Sequence, residues 1–294
     1  MRTLSPALLL TTLLVCGCGD GPAPEPDPAP QPTPRAKPTP AATPRTTPAP
    51  KPQPSAKPRA RPAATPKPKR SAPPLWQRIN AKHYSWQRLG VERLRFYVHA
   101  DSDAYDAGVV RELARKAAYV VDWGPKGPEV EARLPDFKSA SRPPTRIERI
   151  QVEGYVKNTT KLLDGLLGTL RGVYAGPILS QATSFKVERQ GEDYLCRSAG
   201  WTLLLDRRCR VLSLEIPRAK LEHRYEMQPT PEGYLVERVR SSLQGGALRL
   251  DTKLSYEDRR GVRCLSRAQV QVVHKEGEYS IEFNLSAIDI VRSR

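Results

Sequence analysis

The chain has 294 residues, a formal net charge of +17, 30 prolines and only 6% aromatics. No acidic residue stands between Pro28 and Val91, so the positive charge belongs mainly to one proline-rich tract and does not by itself mark a nucleic-acid binder. Setting that tract and the segment before it aside leaves roughly 200 residues, room for one sizeable β or α+β core.

Arg2 gives the N-terminus a positive charge, and Leu4 to Val15 form an apolar run too short to span a bilayer permanently. The run ends in Val15-Cys16-Gly17-Cys18, with a branched aliphatic residue three places before Cys18 and a small residue directly before it. This segment resembles the lipobox of bacterial lipoproteins. The resemblance implies that residues 1–17 are a signal peptide, that cleavage precedes Cys18, and that diacylglyceryl is attached to the Cys18 sulfur. Lipidation at Cys16 instead would place bulky Val15 at the cleavage position. The membrane is therefore an expected partner, held through Cys18, because each buried acyl methylene contributes about 0.8 kcal/mol. Asp20 falls one place later than the aspartate that favours inner-membrane retention in enterobacterial sorting. The expected location is the bacterial cell envelope, at the outer membrane facing the periplasm, where nucleic acid is not a partner.

Residues 18–74 are the lipidated cysteine and a disordered, basic linker holding about 20 of the 30 prolines. Proline fixes φ, removes an amide donor and biases its predecessor towards extended backbone, so the tract forms neither helix nor sheet interior. Its expected state is a polyproline II spacer at about 3.1 Å per residue. Its charge also suits an anionic envelope polymer.

Residues 75–294 read as one β-rich domain. Leu75 to Leu89 fit a short amphipathic helix, and Leu94 to Ala100 alternate as a strand. Asp106 to Tyr119 have helical composition, and a hairpin is expected around Gly124-Pro-Lys-Gly-Pro128, with flanks at Ala118–Asp122 and Val130–Leu134. Arg146 to Val156 is expected as a strand, with Ile150, Val152 and Val156 on one face. Thr159 to Tyr174 follow the i, i+3, i+4 rule through Leu162, Leu163, Leu166, Leu167, Leu170 and Val173. Gly165, Gly168 and Gly172 weaken this helix, by up to about 1 kcal/mol each relative to alanine.

A run of strands follows. Ser184–Arg189 and Tyr194–Arg197 flank one turn, and Trp201–Leu205 and Cys209–Ile216 flank another. In Lys220–Met227, Leu221, His223, Tyr225 and Met227 face one way. Pro231-Glu-Gly-Tyr-Leu235 leads into Ala247–Tyr256, where Leu248, Leu250, Thr252 and Leu254 share a face. Val262–Val272 and Tyr279–Leu285 alternate in the same manner. A strict period of two means one wet and one dry face, and short turns imply an antiparallel meander. The expected fold class is α+β, mostly antiparallel, a curved sheet or incomplete β-barrel covered by one or two helices.

The C-terminal motifs carry a family resemblance: Pro231-Glu-Gly-Tyr-Leu235, Tyr256-Glu-Asp-Arg-Arg-Gly-Val262 and Ile281-Glu-Phe-Asn-Leu-Ser-Ala-Ile-Asp289. Together they resemble the tail of the LolA/LolB-like superfamily of periplasmic lipid- and lipoprotein-binding proteins, best over 180–294 and by element order over 75–180. The resemblance implies an apolar cavity under a helical lid that takes a lipid or an acylated lipoprotein. Leu163, Leu166, Leu167, Leu170, Trp201, Leu203, Phe283 and Leu285 are the candidate lining residues, and any single one of them reads more readily as ordinary core.

No motif compels catalysis. His83, His99, His223 and His274 have no metal-type spacing, and neither a Gly-x-Ser-x-Gly elbow nor a phosphate-binding glycine loop occurs. No catalytic residue, metal or cofactor is expected. Cys196, Cys209 and Cys264 read as buried free thiols, since a simple meander puts Cys196 and Cys209 about 10 Å apart. Three functions follow in order: a non-enzymatic, membrane-anchored lipid or lipoprotein binder; a stalked structural or adhesion module on cell wall or anionic envelope polymer; and an envelope-polymer hydrolase.

Overall fold

The computed structural model describes residues 74–104, 108–179 and 185–293, so the signal segment, Cys18 and the linker up to residue 73 lie outside the described residues. Twelve described strands form one open antiparallel sheet in the order β3-β2-β1-β12-β11-β10-β9-β8-β7-β6-β5-β4. The first three are β1 (Val91–Ser102), β2 (Ala118–Gly124) and β3 (Gly127–Arg133). Short strands β4 (Lys186–Gln190), β5 (Asp193–Arg197), β6 (Thr202–Leu205) and β7 (Val211–Ile216) come next. The long strands are β8 (Leu221–Thr230), β9 (Gly233–Leu243), β10 (Leu248–Arg259), β11 (Val262–His274) and β12 (Gly277–Arg292). Three α-helices accompany the described strands: α1 (Leu75–Lys82), α2 (Val109–Lys116) and α3 (Arg146–Leu170). The fold class is α+β with a curved, unclosed sheet, as the sequence predicts.

The placement of α3 reveals the curl. The strands β3 and β4 are the two edges of the sheet, and α3 lies between them in sequence. β3 stands first and β8 eighth in the strand order, yet Gly127 and Pro128 of β3 and Leu221 and His223 of β8 line one cleft beneath α3. The sheet therefore wraps around the helix. Its inner face is the dry one: Leu94, Phe96 and Val98, Val239, Leu254, Ala268 and Val270, and Ile281 and Phe283 are all buried.

Near the start of β11 the sheet splits. β12 pairs with β11 only from Arg267↔Asn284 to His274↔Gly277, and its second half, Leu285 to Arg292, pairs with β1 alone. Ala287, at φ 49°, sits where the β1–β12 register shifts, the mark of a bulge that bends β12 away. The freed backbone of β11 is satisfied by two tyrosines. The Tyr84 hydroxyl accepts from Arg263 N at 2.8 Å, and the Tyr174 hydroxyl accepts from Leu265 N at 3.0 Å and donates to Arg263 O at 2.7 Å. An aromatic wedge fills the gap: Tyr84 stacks on Tyr174, which also contacts Trp123 and Tyr256, and Trp86 meets Trp123 edge-on.

The segment after α1 is tied across the sheet. His83 Nε2 donates to the Cys209 carbonyl at 2.6 Å, and Tyr84 N donates to Tyr234 O at 2.9 Å. The close approach requires Gly233, at φ 130°, where a Cβ would stand 2.8 Å from backbone atoms of Lys82 and His83.

Two expectations need correction. Arg146 to Val156 is not a strand but the first half of α3. Thr145 caps it, accepting from Glu148 N while Glu148 accepts from Thr145 N, and this capping box outweighs the alternation of Ile150, Val152 and Val156. Ile150 is exposed, whereas Val152, Tyr155, Val156 and Thr159 begin a buried stripe that runs to Leu170. The stretch after Leu235 does not lead directly into the strand at 247; it is β9, whose alternating Val239, Ser241 and Leu243 point inward. Beside α3, the helix α2 packs on both β1 and α3. The three cysteines of the domain are buried free thiols, as read from the sequence.

Candidate functional site

A cleft of about 410 Å³ opens between α3 and the inner face of β8–β11. Four consecutive antiparallel strands build its floor: Leu221 and His223 on β8, Ser241 and Leu243 on β9, Leu250 and Thr252 on β10, and Val270 on β11. Register sets these side by side, with Ser241 opposite both His223 and Leu250. The roof is one side of α3, from Lys161 and Leu162 through Gly165, Leu166, Gly168 and Thr169, followed by Arg171. Lys126, Gly127 and Pro128 of the β2–β3 turn close one end.

Two features define its chemistry. The roof contains two glycines in the interior of a helix, where each is unfavourable by about 0.5–1 kcal/mol relative to alanine. Close packing does not require either one, because a Cβ built at Gly165 or Gly168 meets no atom within 4 Å. Both positions border open space. The floor is apolar except for a small polar patch, and that patch is internally satisfied. His223 Nδ1 and Ser241 Oγ form a hydrogen bond of 2.8 Å, and both residues are buried. Burial pushes the His223 imidazole down to about 4, so it is neutral at physiological pH.

The mouth is cationic. Lys126, Lys161 and Arg171 line it with one carboxylate, Asp164, whose pKa is raised by desolvation. Arg171 Nη2 donates to Pro125 O at 3.1 Å, which lays the guanidinium along the turn. A larger depression, about 670 Å³, lies around Arg238, Asp251 and Glu282 on the other side of the strands. Two of its carboxylates are held in ion pairs, Asp251 by Arg238 and Glu282 by Arg267, as on a solvated sheet face.

Of the eight side chains proposed from the sequence, Leu166 lines the cleft. Leu163, Leu167 and Leu170 are buried on the core side of α3, and Leu203 is buried on β6. Phe283 and Leu285 are buried on β12. Trp201 is half-buried beside Phe185, their rings 6.4 Å apart. None of these seven is among the cleft-lining residues. The floor residues Leu221, His223, Leu250 and Thr252 belong to dry faces that alternation identifies. The roof glycines are visible in the sequence only as a weakness of the helix.

Among the described residues no cluster of three or more His, Cys, Asp or Glu side chains suits a metal ion. No described helix is long and apolar enough to cross a membrane. No protein-family model matches the chain, and no curated protein does. A solved structure of a LolA superfamily protein from Nitrosomonas europaea is similar at 8% identity, with the alignment covering 74% of this chain and 93% of that one at a TM-score of 0.31.

Proposed function

We propose that this chain is a membrane-anchored, non-enzymatic envelope lipoprotein whose β-rich domain binds an acyl chain, of lipid or of acylated protein, in the cleft under α3. The observation that carries the reading is the pair Gly165 and Gly168, which hold a gap open against a floor of Leu221, Leu243, Leu250 and Val270. Ligand clefts fall at roughly 300–1,000 Å³ and bind mainly through apolar burial with few polar groups, which this lining matches. A water's share of liquid volume is about 30 Å³, and a methylene is of similar size, so the cleft suits on the order of a dozen methylenes, one chain rather than several. The lipobox-like segment ending in Cys18 supports the anchor and the periplasmic side of the outer membrane as its place.

A hydrolytic reading has one observation in its favour, the His223–Ser241 pair in the floor. A nucleophile pair of that kind needs a third group to orient the imidazole. Among the described residues no carboxylate hydrogen-bonds His223, and burial alone accounts for its lowered pKa. The pair is therefore read as a satisfied polar contact.

The test is lipid extraction from the purified full chain, with mass spectrometry of what is released. A single-chain or acylated species is expected at near-stoichiometric amount, and a Gly165→Leu/Gly168→Leu variant that keeps its circular dichroism is expected to lose it. A lipid-free protein that also fails to take up added acyl probes overturns the reading.

A further inference from the structure

We propose that the cleft selects amphiphiles with an anionic headgroup, seating the acyl chain on the β8–β11 floor and the negative group on Lys126, Lys161 and Arg171 at the mouth. The proposal rests on the acyl-binding reading above and names the ligand class of the same site. The three cations come from separate places in the chain, the β2–β3 turn, the middle of α3 and its end, and the curl of the sheet brings them to one opening.

Several basic groups on the outer face of the sheet are held in ion pairs. On the outer face Arg93 and Arg95 pair with Asp122, Arg224 with Glu222, and Arg240 with Glu226. Among the described residues none of Lys126, Lys161 and Arg171 has a carboxylate within 4.0 Å, although Asp164 lies in the same lining. Three cations against that one carboxylate leave the opening with an excess of two positive charges.

Arg171 is also held in place. Its donor bond to Pro125 O fixes the guanidinium against the turn, and Nη1 lies 3.6 Å from where a Cβ would stand at Gly127, whose φ of 123° itself calls for glycine. A cation beside apolar walls interacts with an anion more strongly than one in open water, because the local dielectric is lower. Phosphate-type oxygens accept charge-assisted hydrogen bonds from such groups. The inner floor offers a headgroup no comparable charge, since His223 is neutral.

The test uses the full chain freed of co-purified lipid, with two monoacyl probes that share a palmitoyl chain: lysophosphatidylglycerol, which is anionic, and lysophosphatidylcholine, which is zwitterionic. Affinities are read by calorimetry below the micelle threshold. The anionic probe is expected to bind at least tenfold tighter. The Lys126→Gln/Lys161→Gln/Arg171→Gln variant is expected to bring the two within about twofold, with the larger loss on the anionic probe, and Gly165→Leu to lose both. Should the triple variant not fold, Lys161→Gln alone reads the same sign as a two- to threefold loss confined to the anionic probe. Glycerol 3-phosphate, the headgroup chemistry without a chain, is not expected to compete. Equal wild-type affinities, a preference that survives the triple variant, or displacement by glycerol 3-phosphate each overturns the proposal while the bound zwitterionic probe leaves the acyl-binding reading standing. If neither lipid binds, the acyl-binding reading falls first.

Discussion

The end of α3 and the stretch two turns before it meet the same sheet in opposite ways. At the end, the chain passes through a wide π-helical turn, Arg171–Ala175, that drives Tyr174 into a solid aromatic wedge. Before it, Gly165 and Gly168 present no side chain at all and leave space. The chain has large residues and uses them at the wedge: Trp86, Trp123, Tyr84 and Tyr174 are all fully buried. The gap is thus a local choice within a core that elsewhere packs tightly. The wedge holds the sheet where β11 and β12 part, and the gap is the space assigned to the proposed acyl chain.

The contrast breaks most visibly at Tyr174. Tyr174→Ala removes a fully buried aromatic and is expected to destabilise by about 3–5 kcal/mol. Tyr174→Phe keeps the ring but leaves Leu265 N and Arg263 O with one partner fewer, at about 1–3 kcal/mol. Denaturant unfolding of the full chain reads both. If Tyr174→Phe is neutral, the hydroxyl does not hold the split edge of β11, and the wedge is packing alone.

Acid should strike next, and at both regions. Burial lowers His83 and His223 from 6.5 to about 4, one tying the segment after α1 to the turn before β7 and the other in the cleft floor. The folded state binds fewer protons than the unfolded one between those values, so stability falls as pH drops from about 6.5 towards 4 and levels off below. Each histidine accounts for a loss on the order of 2 kcal/mol at pH 5, because every tenfold rise in proton concentration across that window costs about 1.4 kcal/mol. Below about 4.5 the carboxylates take over: Arg267 holds Glu282 down to about 2, so its protonation removes stability in a lower window. Thermal melts of His83→Gln and His223→Gln against pH should each flatten the upper window. A wild-type melting temperature constant from pH 7 to 5 contradicts the burial of both imidazoles.

Most of this architecture is legible in the sequence wherever alternation has one wet and one dry face. β8, β10 and β11 are placed within about three residues of their bounds for that reason, and β12 is found but read as ending at Leu285 where it runs on to Arg292. β9 is harder to see because a bulge at Glu237, between Val236 and Arg238, inserts one extra residue and breaks the period of two. The first half of α3 is misread because Ile150 and Val152 mimic a strand, while the Thr145–Glu148 capping box that decides the matter is a local signal lying just ahead of them. The cleft is legible in its parts and not in its assembly. Periodicity marks Leu221, His223, Leu250 and Thr252 as inward, and it marks the leucines of α3, but only the curl that carries α3 over β8–β11 determines that Leu166 meets them and Leu163 does not. Nor does charge in the sequence single out Lys126, Lys161 and Arg171, which stand 10 to 45 places apart.

The smallest expected effect is the most diagnostic. In an ordinary helix interior, exchanging glycine for alanine stabilises by about 0.5–1 kcal/mol, provided the new methyl has room. Gly165 and Gly168 have that room, so Gly165→Ala/Gly168→Ala should raise stability by about 1–2 kcal/mol, a few degrees in melting temperature. The same two methyls narrow the roof of the cleft, so affinity for a palmitoyl probe should fall as stability rises. At Gly233, where a Cβ would stand 2.8 Å from backbone, the alanine exchange should instead destabilise. Opposite signs at the two sites separate a glycine kept for close packing from glycines kept for space. If the double alanine variant is less stable than wild type, the gap above the floor is not empty in solution, and the distinction between the end of α3 and the stretch before it does not hold.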